Sequence, residues 1–331
     1  MVRCVVVIAP LRNSTSVRYL GMGLAGPVLL AAGWVLMGHV QLGPLWTAGL
    51  RVLPAGILLL AASPSRPRGV RAWSRTVALG LVNVAGFFAC QALSLQWAPM
   101  GVAATVTATQ VLVVPLAARL VAATRVSTRQ LCVAAVGVVG VGLILVNPGS
   151  ATDGDLGDEV DGVVAGGLFG VDLSVLGVAV ATVAAVCSAF GLVLTGHWGV
   201  PNGMSAVSMT GWQLTVGGLI LVPIALVIEG GLPAVSGSSV AVLAGLVVAT
   251  AAAFGLMFHT LHTGLPAVVV SRLMLMIPVL VTIAGWAIYG QALTFGQGLG
   301  LVVVLGSVTT LTLSMPARPR REPSTAPAER R

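Results

Sequence analysis

Stretch after stretch of this chain runs for close to twenty residues without a charged side chain, and about twenty is the number an α-helix needs to cross a hydrocarbon core of roughly 30 Å. Only 8% of the residues are charged and 57% are hydrophobic, against about a quarter charged in an ordinary soluble domain. No water-soluble fold hides that much apolar surface, so the bilayer is the solvent. Apolar runs between breakers predict helices at 19–39, 45–62, 76–96, 101–122, 130–147, 173–195, 205–228, 239–260, 265–288 and 292–314. The expected fold is an all-α polytopic membrane protein of about ten transmembrane helices.

Charge sets the orientation. All 17 basic residues are arginine. Arg3, Arg12 and Arg18 precede the first span, Arg66, Arg68, Arg71 and Arg75 follow the second, and Arg119, Arg125 and Arg129 surround the fourth-to-fifth connection. Arg318, Arg320, Arg321, Arg330 and Arg331 follow the last. All of these fall on one side of the alternating spans, the positive-inside pattern, which predicts a multi-pass protein of the cell (inner) membrane with both termini cytoplasmic. Such short clusters are no nucleic-acid footprint, which needs a continuous basic face. The opposite side is marked by Asp153, Asp155, Asp158, Glu159, Asp161 and Asp172.

The chain then divides into a cytoplasmic leader (1–18), a first five-helix unit (19–147), an acidic outer linker (148–172), a second five-helix unit (173–314) and a cytoplasmic tail without a fold (315–331). Pro99, Ser127 and Gln130 match Pro266, Thr294 and Gln297 at one offset of 167 residues, and Gly38-His39 matches Gly196-His197 at a nearby one. Five spans per unit is odd, so the second enters the membrane inverted. Inverted repeats about an axis in the membrane plane characterise many secondary transporters.

Three segments carry a family resemblance: GPLWTAGLRVLPAGILLL in span two, the run from QALSLQWAPMG to GVGLIL through spans three to five, and the run from HTLHTGLPAVV to GLVVVLG through spans eight to ten. Over about residues 19–314 the chain resembles the EamA-type transporters of the drug/metabolite transporter superfamily. The resemblance implies ten helices in two inverted repeats, and a permease that exports amino acids or similar metabolites. It also implies a glutamate in a turn after the fourth helix of each repeat, where this chain has Thr124 and Gln291. Family members commonly carry an arginine at the place of Arg51 whatever the substrate, so the resemblance assigns it no particular solute.

Two charges lie within spans, Arg51 in the second and Arg272 in the ninth. Each costs at least about 2.5 kcal/mol near mid-bilayer unless it faces protein or water. Either arginine can present its planar fork to a carboxylate or phosphate, or bond to helix carbonyls. The candidate solute-binding residues are Arg51, Arg272, Gln110, Thr107, Trp34, Asn83, Gln213 and Ser271, the polar or large side chains of the inner spans; hydrogen bonding between helices is the alternative for each. No Asp or Glu lies inside a span. A proton-coupled antiporter of cationic drugs needs a membrane carboxylate, so a neutral, zwitterionic or anionic solute is expected.

His259 and His262, three residues apart, lack the further ligands a metal site requires, so no metal and no cofactor are expected. Without a nucleotide loop, a hydrolase elbow or paired membrane carboxylates, no enzyme activity and no catalytic residues are expected. The cysteines, at 4, 90, 132 and 187, read as small buried hydrophobes. Spacings of small residues such as Gly296-Gly300 and Gly137-Val141 allow close helix approach, either within one chain or at a homodimer face.

The expectation is a secondary transporter working by alternating access around a midplane cavity, with a small-molecule solute and the lipid bilayer as partners and no nucleic acid. Two other classes stay open: a lipid-carrier flippase component, and a non-transporting scaffold whose core is packed solid with its arginines on backbone carbonyls.

Overall fold

The structure, a computed structural model, describes residues 14–123, 128–146, 173–231, 236–263, 276–290 and 293–314. Ser271, Arg272, Thr124, Gln291, the acidic linker and the tail lie outside the described residues. The described elements are all helical: α1 (Ser14–Met37), α2 (Pro44–Ala62), α3 (Val70–Ser94), α4 (Met100–Ala108 and Gln110–Ala122), α5 (Thr128–Val146), α6 (Leu173–Trp198), α7 (Ala206–Ile228), α8 (Gly237–Thr263), α9 (Met276–Tyr289) and α10 (Phe295–Ser314). Helix α3 contains a π-helical turn at Gly80–Gly86. Six of the described helices, α2, α3, α4, α6, α7 and α8, are long and apolar enough to cross a membrane. Leu24–Met37, Met276–Tyr289 and Phe295–Ser307 are shorter apolar helices.

Local chemistry starts, breaks and stops these helices. Pro44 opens α2, where its missing N–H costs nothing. Helix α4 breaks at Thr109, whose N–H turns back to Val106 O at 3.0 Å while Leu112 N–H bonds Thr109 O at 2.8 Å. Pro115, six residues on, removes one more donor from the ladder. Gly69, Gly230 and Gly290 have φ of 85°, 87° and 65°. That left-handed backbone, which glycine adopts without steric cost, ends or begins a helix at each place.

The packing obeys a two-fold relation between halves. Helix α2 packs on α7, α4 on α9 and α5 on α10, each pairing a helix of the first half with its counterpart five places later. Further contacts come as related pairs: α1 with α8 as α6 with α3, and α1 with α9 as α6 with α4. Helices α2 and α7 run antiparallel, since Leu45 and Trp46 meet Glu229 at one end while Ser63 meets Ser205 at the other. This is the two-repeat membrane fold.

Glycine makes the closest of these contacts possible. A Cβ on Gly56 would stand 2.5 Å from Thr215 N and 2.8 Å from Gly211 O. A Cβ on Gly140 would stand 3.0 Å from Gly300 O, and one on Gly137 would run into Leu112. Gly137 and Gly140 of α5 therefore pack inside the chain, against α4 and α10.

Both ends of the α2–α7 pair are fastened across the repeats. The Glu229 carboxylate, at the end of α7, accepts from Leu45 N at 2.7 Å and Trp46 N at 2.9 Å, so it satisfies and neutralises the N-terminus of α2. At the other end Ser208 Oγ and Trp212 Nε1 donate to Ser65 O at 2.6 and 2.8 Å, while Ser205 Oγ accepts from Ser208 N. Replacing Glu229 with alanine is expected to cost about 1–2 kcal/mol, read as a lower melting temperature of the detergent-purified protein.

The outside is apolar. Ile57, Leu120, Val138, Val139, Val227, Trp286, Phe295 and Val302 are all exposed, a surface far beyond what a water-soluble monomer carries and one that lipid solvates. Cys132 is exposed on α5, and Cys90 and Cys187 are only part-buried, so the reading of the cysteines as buried hydrophobes is corrected. A small thiol is apolar enough to face lipid, and nothing in the fold requires it to be covered.

Candidate functional site

Arg51 is 1% exposed, in the first half of α2, and its guanidinium is held by side chains. Nε donates to Thr250 Oγ1 at 2.8 Å, Nη1 to Met37 Sδ at 3.1 Å and, more weakly, to Gln91 Oε1 at 3.5 Å. The Phe88 ring lies 4.9 Å from Cζ, a cation–π contact. Thr250 is itself fixed, donating to Leu246 O at 2.7 Å. Gly33 of α1 leaves room for Nη2, which would lie 3.0 Å from a Cβ there. Four helices thus meet on one cation: α1, α2, α3 and α8.

No carboxylate answers that charge among the described residues. The one described acid is Glu229, and both its oxygens are taken by the α2 N-terminus. Nor is the guanidinium on helix carbonyls, the arrangement expected of a scaffold; its acceptors are a hydroxyl, a thioether and an amide. With Nε and Nη1 engaged, the hydrogens of Nη2 remain for a further acceptor, and the neutral lining leaves the positive charge unanswered among the described residues.

The two-fold relation supplies a counterpart that sequence reading missed. Gly49 and Gly56 of α2 match Gly211 and Gly218 of α7, which sets Arg51 against Gln213. Leu79, Phe87 and Pro99 match Leu246, Phe254 and Pro266, which sets Asn83 against Thr250. Gly33 in GWVLMGH matches Gly191 in GLVLTGH. In the second half the matching residues also meet, with donor and acceptor exchanged: Asn83 Nδ2 donates to Gln213 Oε1 at 3.2 Å, and Gly191 stands against Asn83, where Gly33 stands against Arg51. Arg51–Thr250 and Gln213–Asn83 are thus hydrogen-bonded pairs at matching positions of the two halves, only the first of them charged. The three pairings have different offsets because the loops between helices differ in length, so no single sequence shift brings them together.

The other expected residues sit elsewhere. Trp34 is buried among Ala31, Ala98, Met100, Ala103, Ala104 and Val281, a packed cluster of α1, α4 and α9. Thr107 bonds back to Ala103 O at 2.7 Å within its own helix. Gln110 follows the α4 break and buries Oε1 without a partner among the described residues, as Thr282 buries Oγ1 on α9. None of these bonds Arg51. Ser271 and Arg272 lie outside the described residues. No group of three His, Cys, Asp or Glu side chains is close enough for a metal among the described residues.

One end of the α1–α9 contact is latched. Tyr289 Oη donates to Val35 O at 2.7 Å and meets His39 Nδ1 at 2.6 Å, leaving no room for a side chain on Gly38. The two-fold counterpart of Gly38 is Gly196, around which a Cβ would find open space among the described residues. The residue matching Tyr289 at the 167-residue offset is Ala122.

Comparison with known proteins agrees with this architecture. The EamA-like transporter family matches twice, over residues 18–146 and 175–313. The chain is 29% identical over 267 residues to Protein PecM of Dickeya dadantii (strain 3937), covering 80% of this chain and 82% of that one. It is 25% identical over 276 residues to a chloroplastic WAT1-related protein of Arabidopsis thaliana, covering 80% of this chain and 62% of the relative. A solved crystal structure superposes with a TM-score of 0.57 over 90% of this chain and 97% of its own, at 16% identity, which speaks to the fold alone.

Proposed function

The chain belongs to the EamA-like transporter family and is a multi-pass membrane transporter of small solutes; on that premise we propose that it exports amino acids or similar small metabolites bearing a carboxylate or phosphate, with Arg51 as the group that recognises the anion. The observation that carries this reading is a fully buried arginine with no carboxylate partner among the described residues, held by neutral side chains. The second half supports it. Gln213 makes the matching contact without a charge, so packing α2 and α7 onto their neighbours does not itself demand a cation, and the charge at Arg51 calls for another reason to be kept at such cost.

The units at 19–147 and 173–314 rock about a central cavity and open it to one side at a time, in the cell membrane, with the arginine-rich side and both termini cytoplasmic. The Tyr289 latch on one end of α1–α9, and the open Gly196 at the related place, support a conformation shut on the arginine-free, outer side. In protein whose native cysteines are replaced by alanine, Tyr289→Phe is expected to raise labelling of Ala31→Cys by an impermeant thiol reagent from that side several-fold. Unchanged labelling contradicts the latch.

Binding tests the solute class. Melting of the purified protein is measured with aspartate, glutamate, lactate, glycerol phosphate, leucine and lysine, each at millimolar concentration. Stabilisation by one or more of the anions that Arg51→Gln removes supports the reading; stabilisation by lysine alone, or none that depends on Arg51, refutes it.

A further inference from the structure

The repeated contact around Gln213 has more hydrogen-bonding capacity than it uses among the described residues. Asn83 Nδ2 spends one donor on Gln213 Oε1, which leaves its second hydrogen and both hydrogens of the Gln213 amide for another acceptor. Gln213 is 3% exposed while Asn83 is only part-buried, so the pair is reachable through Asn83. The asparagine sits in the π-helical turn Gly80–Gly86, whereas the matching stretch of α8 is regular α-helix. Such single π-turns are frequent at functional sites.

Depth follows the same symmetry. Arg51 and Gln213 each stand seven residues after the first residue of their helix, about 10 Å along the axis at 1.5 Å per residue. Because α2 and α7 are antiparallel, the two depths are measured from opposite faces: Arg51 from the arginine-free side, Gln213 from the arginine-rich side. Helical side chains lean toward their own N-terminus, so the pair point apart.

We propose that Asn83 and Gln213, with Gly191 packed against Asn83, form a second solute station on the arginine-rich half, the uncharged counterpart of the Arg51 station. It takes the same carboxylate or phosphate oxygens through amide donors. Neutral donors hold an oxyanion less tightly than a guanidinium, so the carrier saturates at lower concentration from the arginine-free side than from the arginine-rich side. This inference rests on the anion reading of Arg51 given above.

The test transposes the charge. Wild type, Arg51→Gln, the double variant Arg51→Gln/Gln213→Arg, and Asn83→Asp are reconstituted in one orientation, and half-saturation is measured from each side with labelled aspartate, glutamate, lactate and glycerol phosphate. Expected are a wild-type difference between sides of about tenfold or more, loss of anion flux at wild-type half-saturating concentrations in Arg51→Gln, and recovery in the double variant with the side order reversed. Asn83→Asp, which keeps the shape of the side chain and adds a repelling charge, is expected to raise half-saturation at least about tenfold more on the arginine-rich side than on the other. Anion flux undiminished in Arg51→Gln overturns the anion reading itself. Loss in Arg51→Gln with a folded double variant that stays inactive, or keeps the wild-type side order, overturns the second station alone. If the double variant does not fold, equal effects of Asn83→Asp on both sides overturn it.

Discussion

Arg51→Gln is expected to insert, purify and melt much like the wild type, yet to need about 10- to 100-fold more anionic solute for half-maximal flux. Hydrogen bonds to a charged group contribute about 1.5–3 kcal/mol, and each 1.4 kcal/mol is about a factor of ten in affinity. Retention of the fold is expected because Gln213 fills the matching position of the second repeat with an amide. Arg51→Ala removes the guanidinium from between Thr250, Met37 and Phe88, leaving Thr250 and Gln91 without their partner, and is expected to lower the folded yield as well. Arg51→Lys keeps the charge but loses the planar guanidinium, and a single ammonium cannot hold Thr250 as Nε does while also presenting the separate Nη2 donors to a solute. Its flux is expected to lie between wild type and Arg51→Gln. Initial-rate uptake into vesicles, with monodispersity and melting temperature on the same preparations, separates lost recognition from lost folding.

The second large effect concerns the α2–α7 seam. Gly56→Val is expected to abolish the folded protein, because the atoms in the way of its Cβ are Thr215 N and Gly211 O, backbone groups that no rotamer change can move. Overpacking a core costs about 1–3 kcal/mol where side chains can yield, and here they cannot. Gly56→Ala should be intermediate. Gly142→Ala, placed where nothing lies within 4 Å among the described residues, should leave yield and melting unchanged. Recovery of a monodisperse peak after detergent extraction reads all three, and a Gly56→Val protein with wild-type yield contradicts the tight seam.

The helices and their repetition were legible because the bilayer imposes both: charge-free runs of the required length are visible in a single sequence, and so is a shared spacing such as Pro99 with Pro266. Arg51 stood out because a charge within such a run is conspicuous. Its partner did not. Thr250 looks like any threonine in a membrane helix, and only the packing of α8 against α2 makes it an acceptor. Asn83 and Gln213 were both singled out as polar residues of inner spans, but their bond to one another depends on the two-fold relation and on the π-turn at Gly80–Gly86, which has no residue signature. Trp34 invited a place at the cavity by its size; the same size packs it between α1, α4 and α9. The small residues of α5 left two uses open, and the approach of Gly140 to Gly300 settles what Gly137 and Gly140 do within the chain.

The most direct test of the central claim is flux itself: uptake and efflux of labelled amino acids and small metabolites by proteoliposomes containing the wild-type protein or Arg51→Gln. Saturable movement of at least one carboxylate- or phosphate-bearing solute is expected, lost or shifted to much higher concentration in Arg51→Gln. Flux confined to cations, or anion flux equal in the two proteins, contradicts it.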